Sequence, residues 1–109
     1  MPKKPIDYST CVMYRIVCND INISECYVGH TTNLTKRRYQ HKKDYELYLS
    51  RKVYKFIREN GGYENWSIIQ IEKYPCSGYN EARNRERYWI EYYKASLNSQ
   101  PIYEIEIID

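Results

Sequence analysis

The stretch YVGHTTNLTKRRYQH, residues 27–41, places two histidines and three cationic side chains within fifteen positions. A guanidinium can grip a phosphate through two parallel N–H donors. An imidazole beside it can donate to the same phosphate or carry a proton near neutral pH. Leu34, Arg37, Arg38, His41 and Tyr45 fall at helical spacing. With Leu34 facing inward, one of the two arginines and His41 line the same side. Lys36, Lys42 and Lys43 point elsewhere and suit contact with a nucleic-acid backbone. The same pattern also fits an ordinary surface helix whose arginine stems cover a sheet, with His41 partly buried.

A second group lies downstream, around Glu86. Spacing of three and four puts Ala82, Trp89, Ile90 and Tyr93 on one helical face, and Glu86 falls within that apolar stripe. A buried carboxylate without a partner costs several kcal/mol. It therefore requires either an arginine in a structural ion pair or a divalent cation at the edge of a cleft. Glu81 and Glu91 fall off the stripe and are expected in solvent. Two strand tyrosines, Tyr14 and Tyr27, add phenols. A phenol titrates near 10 and is a poor base unless nearby cations lower that value. Taken singly, each tyrosine reads as packing.

These groups need elements to position them. Residues 11–18, CVMYRIVC, are apolar on both faces except for Arg15, the pattern of a buried strand. NDINIS (19–24) is a turn, and ECYVG (25–29) a second strand antiparallel to the first. Asn33 is placed to cap a helix over 34–43, and Ser50 one over 51–60. NGG (60–62) ends the latter, with glycine free to adopt the left-handed conformation. WSIIQIEKY (66–74) is a third strand, PCSG (75–78) a break, and Asn80 a cap for a helix over 81–94. IYEIEII (102–108) alternates and is expected as an added edge strand. The order β-β-α-α-β-α predicts an α+β domain: a small antiparallel three-stranded sheet flanked by helices. Residues 1–109 form one domain with its core at about 11–101, and residues 1–8 and 102–109 are peripheral.

Composition narrows the classes. Charged residues are 28% and hydrophobic residues 42%, as expected of a soluble globular chain. No apolar stretch nears the ~20 residues of a membrane span, and no apolar run follows the N-terminal lysines as in a secretory signal. Cys11, Cys18, Cys26 and Cys76 form no Cys-x-x-Cys pair, which disfavours zinc; they are expected as reduced thiols inside a cell, in cytoplasm or nucleus. From Lys36 to Arg58 there are nine basic residues, Lys52 and Lys55 among them, against the two acids Asp44 and Glu46. A one-sided basic patch suits a polyphosphate.

Together, two strand tyrosines, an arginine ten residues after the second and a glutamate on a later helix resemble the GIY-YIG nuclease family. The named motifs stand here as VMY (12–14) and YVG (27–29). Arg37 matches the family arginine, Glu86 the metal-binding glutamate, Asn98 in SLNS the asparagine that closes the site, and His41 a histidine of many members. The resemblance is nearest to stand-alone members from large DNA viruses, which share stretches like VYKFIRENGG and KASLN. Two departures stand out: Val12 replaces the first glycine, and His30 sits where small residues are common. His30 is placed to add a second proton carrier or a DNA contact.

The resemblance implies one-metal hydrolysis of phosphodiester bonds in DNA, duplex or branched, inside a cell that includes a virus-infected host. Glu86 would hold one Mg²⁺ or Mn²⁺ with water at the remaining positions. Arg37 would hold the scissile phosphate, and Tyr14 would activate water with Tyr27 hydrogen-bonding the same oxygens, or the two tyrosines would exchange these roles. Asn98 would orient Glu86 or a metal-bound water, and Lys36 and His41 would assist. Lys36, Arg38, Lys42, Lys43, Lys52 and Lys55 would track the nucleic-acid backbone. The alternative is a module of the same fold that binds nucleic acid without cutting it.

Overall fold

The structure, a computed structural model, describes residues 5–98. Three strands, β1 (Val12–Cys18), β2 (Cys26–Thr31) and β3 (Trp66–Lys73), form one antiparallel sheet in the order β2-β1-β3. Helices α1 (Leu34–Leu47) and α2 (Lys52–Glu59) follow β2, and α3 (Tyr79–Tyr93) follows β3. This is the α+β order β-β-α-α-β-α that the sequence predicts.

Strand β1 occupies the centre because it is apolar on both faces. Met13 and Tyr14 are neighbours on opposite sides of the sheet and are 0% and 1% exposed. On one side, Tyr14 and Ile16 pack with Val53, Tyr54 and Ile57 of α2, and with Leu97. On the other side, Met13 and Cys11 pack with Ala82 of α3. Full burial of a side chain such as Ile57 or Ile16 stabilises the fold by about 1.5–3 kcal/mol. The register against β3 shifts between Met13, opposite Glu72, and Tyr14, opposite Gln70, so Ile71 is an extra residue in that strand.

Asn33 caps α1 as predicted, its side chain accepting the Lys36 N–H. The helix runs on past 43 to Leu47. Asp44 accepts from the Gln40 side chain one turn back, and Tyr45 packs against Tyr54 and Tyr63. Ser50 was the expected cap of α2, but Arg51 takes that position and makes no side-chain cap bond. Gly61 and Gly62 have φ of 100° and 81°, and Gly62 N–H reaches the Ile57 carbonyl, so the NGG stop works through left-handed glycine. Asn80 does not cap α3, which starts at Tyr79 after Gly78. A pairing of Glu81 with the backbone and hydroxyl of Ser77 closes that end instead.

Tyr8 packs against the Met13 cluster, and its carbonyl accepts the Cys76 N–H. All four cysteines are free thiols, Cys11 and Cys26 buried. The strand expected at 102–108 lies outside the described residues. Among the described residues no helix is long and apolar enough to cross a membrane.

Candidate active site

Two neighbouring rows of cross-strand partners organise the site. His30, Met13 and Glu72 form one row, and Gly29, Tyr14 and Gln70 the next. Alternation along a strand sends the two rows to opposite faces. The first row meets α3, where Glu86 reaches His30 and Arg85 reaches Glu72. The second meets α1, where His41 and Arg37 reach Tyr14. Strand β2 is an edge, and the Glu86 charge acts on both Tyr14 and Tyr27 across it.

The Tyr14 hydroxyl accepts the Arg37 Nε–H at 3.1 Å and lies 2.7 Å from His41 Nε2. His41 Nδ1 lies 2.8 Å from the Tyr54 hydroxyl. Either imidazole tautomer completes this chain. With the hydrogen on Nδ1, His41 donates to Tyr54 and receives the Tyr14 hydrogen at Nε2. Burial, followed by the charge of Arg37, pushes His41 down to about 4, so it is a neutral acceptor at neutral pH. Burial pushes Tyr14 well above the usual phenol range and Tyr27 adds to this, with Arg37 opposing. Tyr27 is likewise raised by burial and then by the Glu86 charge, again against Arg37. Arginine alone therefore does not make either phenol a base.

Three sequence expectations need correcting here. His41 was expected to face the cleft, but it is 1% exposed, with the rings of Tyr14, Tyr27 and Tyr54 packed edge-on around it. Its two ring nitrogens face the Tyr14 and Tyr54 hydroxyls. Asn98 was expected to orient Glu86 or a metal-bound water. Both ends of its amide are engaged by Val28 instead, Oδ1 accepting the N–H and Nδ2 donating to the carbonyl, each at 2.7 Å. An edge strand leaves such backbone groups unpaired, and Asn98 supplies the missing partner between Tyr27 and Gly29. Arg38 was expected on nucleic acid, but its guanidinium is docked on the Ile68 carbonyl of β3, at 2.8 Å from Nη2.

Gly29 has a steric reason. A Cβ built there would lie 2.5 Å from the Tyr14 hydroxyl oxygen and 2.6 Å from Cζ. The tyrosine ring lies over the glycine, and any side chain would displace it.

Glu86 is 12% exposed at its side chain. Oε1 lies 2.7 Å from His30 Nδ1, and Oε2 pairs with the Arg83 guanidinium, one helical turn back. The rings of Tyr8 and Tyr79 flank His30 at 6.4 and 5.8 Å between centroids. Arg83 was legible as an i, i+3 neighbour of Glu86; Tyr54 and Tyr8 were not, since no local pattern ties them to the site.

Arg37 borders two openings. One is a groove of about 960 Å³ running along α1 past Lys36, Tyr39 and Gln40 to Thr10. The other is a pocket of about 200 Å³ walled by Tyr27, Arg51, Lys52, Tyr54 and Asn98. Lys36, Lys42, Lys43, Lys52 and Lys55 are exposed on α1 and α2.

The fold has a counterpart among solved structures, "Structure of the Catalytic Domain of Homing Endonuclease I-TevI", with a TM-score of 0.67 and 23% sequence identity. The match covers 82% of this chain and 94% of that one. No curated protein matches the sequence. A profile of the GIY-YIG catalytic domain matches residues 10–99, so nearly all of what positions Tyr14, Arg37 and Glu86 falls inside it, and the chain belongs to the GIY-YIG catalytic-domain family.

Proposed function

We propose that this protein is an endonuclease that hydrolyses phosphodiester bonds of DNA, duplex or branched, with one Mg²⁺ or Mn²⁺ held at Glu86. The observation that carries the proposal is the Tyr14 hydroxyl, held between an arginine that borders an open groove and a neutral histidine. Membership of a catalytic-domain family supports it.

Glu86 fits a hard divalent ion. Its carboxylate is 12% exposed, and a cation, the Arg83 guanidinium, already sits on Oε2. Arg83 is 42% exposed and can withdraw into solvent, leaving that oxygen to a metal. One carboxylate plus waters and a substrate phosphate is an ordinary Mg²⁺ donor set. Such an ion supplies charge neutralisation at a phosphate oxygen and at the leaving group.

The chain's own groups do the rest. Arg37 holds the phosphate and stabilises its added negative charge. Tyr14 takes a proton from the attacking water as it passes its own to His41 Nε2. Concerted transfer avoids the isolated phenolate that burial disfavours, and a phosphate beside Arg37 raises the affinity of His41 for the proton. Tyr27 hydrogen-bonds the same oxygens, and Asn98 holds the strand between the two. Lys36, Lys42, Lys43, Lys52 and Lys55 bind the flanking backbone. The stretches VYKFIRENGG and KASLN support kinship with members from large DNA viruses, acting inside a cell.

Plasmid nicking with and without Mg²⁺, alongside duplex, nicked, flap and cruciform oligonucleotides, tests this reading. Glu86→Ala should abolish cleavage and preserve DNA binding; equal nicking by both proteins would remove Glu86 from the site. The capture of both Glu86 oxygens by His30 and Arg83 favours one rival, a module that binds without cutting. Steeply salt-dependent binding with no nicking in any divalent metal would establish it.

A further inference from the structure

Glu86 is expected to hold the ion, yet its closest polar neighbour across the sheet is an imidazole. His30 Nδ1 lies 2.7 Å from Oε1, and the two side chains are 13% and 12% exposed. An ionised carboxylate oxygen only accepts, so the hydrogen between them sits on Nδ1. Octahedral ligands about 2.1 Å from one ion lie about 3.0 Å from each other. The pair is therefore within a few tenths of an ångström of the spacing of two ligands sharing a metal, and a cation can take the place of the shared hydrogen, with the ring protonated at Nε2. His30 cannot swing away easily. Its cross-strand partner is Met13 in the buried sheet centre, and Tyr8 and Tyr79 flank its ring.

We propose that His30 is a second protein ligand of the Glu86 ion, making a mixed nitrogen and oxygen site that favours Mn²⁺ and Co²⁺ over Mg²⁺. The chemical reason is that Mg²⁺ demands oxygen donors, whereas imidazole strengthens binding along the series from Mn²⁺ to Co²⁺. The inference rests on Glu86 as a metal ligand, the reading proposed above. It adds a metal preference that one carboxylate would not impose.

The test uses tag-free protein and the metals alone, without DNA. The chain has two histidines, and both nitrogens of His41 are occupied by tyrosine hydroxyls. A directly bound nitrogen seen by pulsed EPR on the Mn²⁺-loaded wild type therefore reports His30. Its absence overturns the proposal, and this arm needs no variant. In competition titrations, Co²⁺ should bind the wild type more tightly than Mg²⁺ by at least about tenfold. His30→Asn keeps an N–H donor for Glu86 but offers no ligand nitrogen. It should lose most of that preference while holding Mg²⁺ within about threefold of wild type. If His30→Asn retains the Co²⁺ preference, His30 only orients the carboxylate and the proposal fails. Glu86→Gln separates the two readings: it should abolish binding of both ions, and retained binding means that Glu86 is not the site at all.

Discussion

Replacing Gly29 with alanine adds one methyl group beneath Tyr14. The backbone does not resist the change, because Gly29 is not among the positive-φ glycines. Space does. The new Cβ would lie 2.6 Å from Tyr14 Cζ, whereas carbons in contact sit about 3.5–4.0 Å apart. The ring must retreat roughly 1 Å. Tyr14 is 1% exposed, and its hydroxyl is fixed at 2.7 Å from His41 and 3.1 Å from Arg37. A shift of that size stretches one of those bonds beyond reach or drives the oxygen into its partner. Overpacking costs about 1–3 kcal/mol and a buried hydrogen bond left unmade about 1–3 kcal/mol. The expected loss is roughly 2–6 kcal/mol, lowering Tm by about 10 °C or more. Misplacing a reacting group by ~1 Å should also slow cleavage about 10²-fold. Urea unfolding followed by tryptophan fluorescence and a plasmid-nicking assay measure the two effects. Gly78→Ala is the control, since nothing lies within 4 Å of a Cβ there, and it should cost about 0.5–1 kcal/mol as an N-cap change. If Gly29→Ala matches that control in stability and cleaves at the wild-type rate, Tyr14 is not pinned as described and the role assigned to its hydroxyl is lost.

Three other outcomes follow from the same geometry. Tyr14→Phe and Arg37→Ala should each slow cleavage by about 10²–10³-fold with the circular dichroism spectrum unchanged; unaltered rates would place the reacting phosphate elsewhere. Native His41 titrates at about 4 and the unfolded chain near 6.5, so between these values the unfolded state binds more protons and acid destabilises the fold. Stability should fall by about 3 kcal/mol more in wild type than in His41→Gln as pH drops from 7 to 4, with parallel curves above about 6.5. Removing Lys42 and Lys43 together should reduce the slope of log affinity against log salt by about 2, with cleavage-site choice unchanged; a constant slope would show that this face of α1 does not meet the backbone.

Local pattern was enough for the elements and their order. The doubly apolar run of β1, the Asn33 cap and the NGG stop each express a short-range preference, and each appears where the pattern put it. The caps of α2 and α3 fell one and two residues away from the predicted Ser50 and Asn80: Arg51 and Gly78 hold these positions without a side-chain cap bond, and the Ser77–Glu81 pair closes the start of α3. The spacing of Tyr27, Arg37 and Glu86 likewise sufficed to nominate the candidate site, since each sits on a regular element whose period can be counted.

What the nominated residues touch was decided by the tertiary fold. His41 looked like a cleft residue from its helical phase, but α2 brings Tyr54 against it and closes it off. Asn98 looked like a partner for Glu86, but the free edge of β2 claims both ends of its amide. His30 meets Glu86 because cross-strand register puts it beside Met13, under α3. Sequence by itself determined which residue types lie on which face of each element, because that depends on periods of two and 3.6 residues along one chain. The partners come from elsewhere in the chain, fifty-six residues away for His30 and Glu86 and seventy for Val28 and Asn98. Contacts across such separations follow from how the elements dock, and no local spacing encodes them.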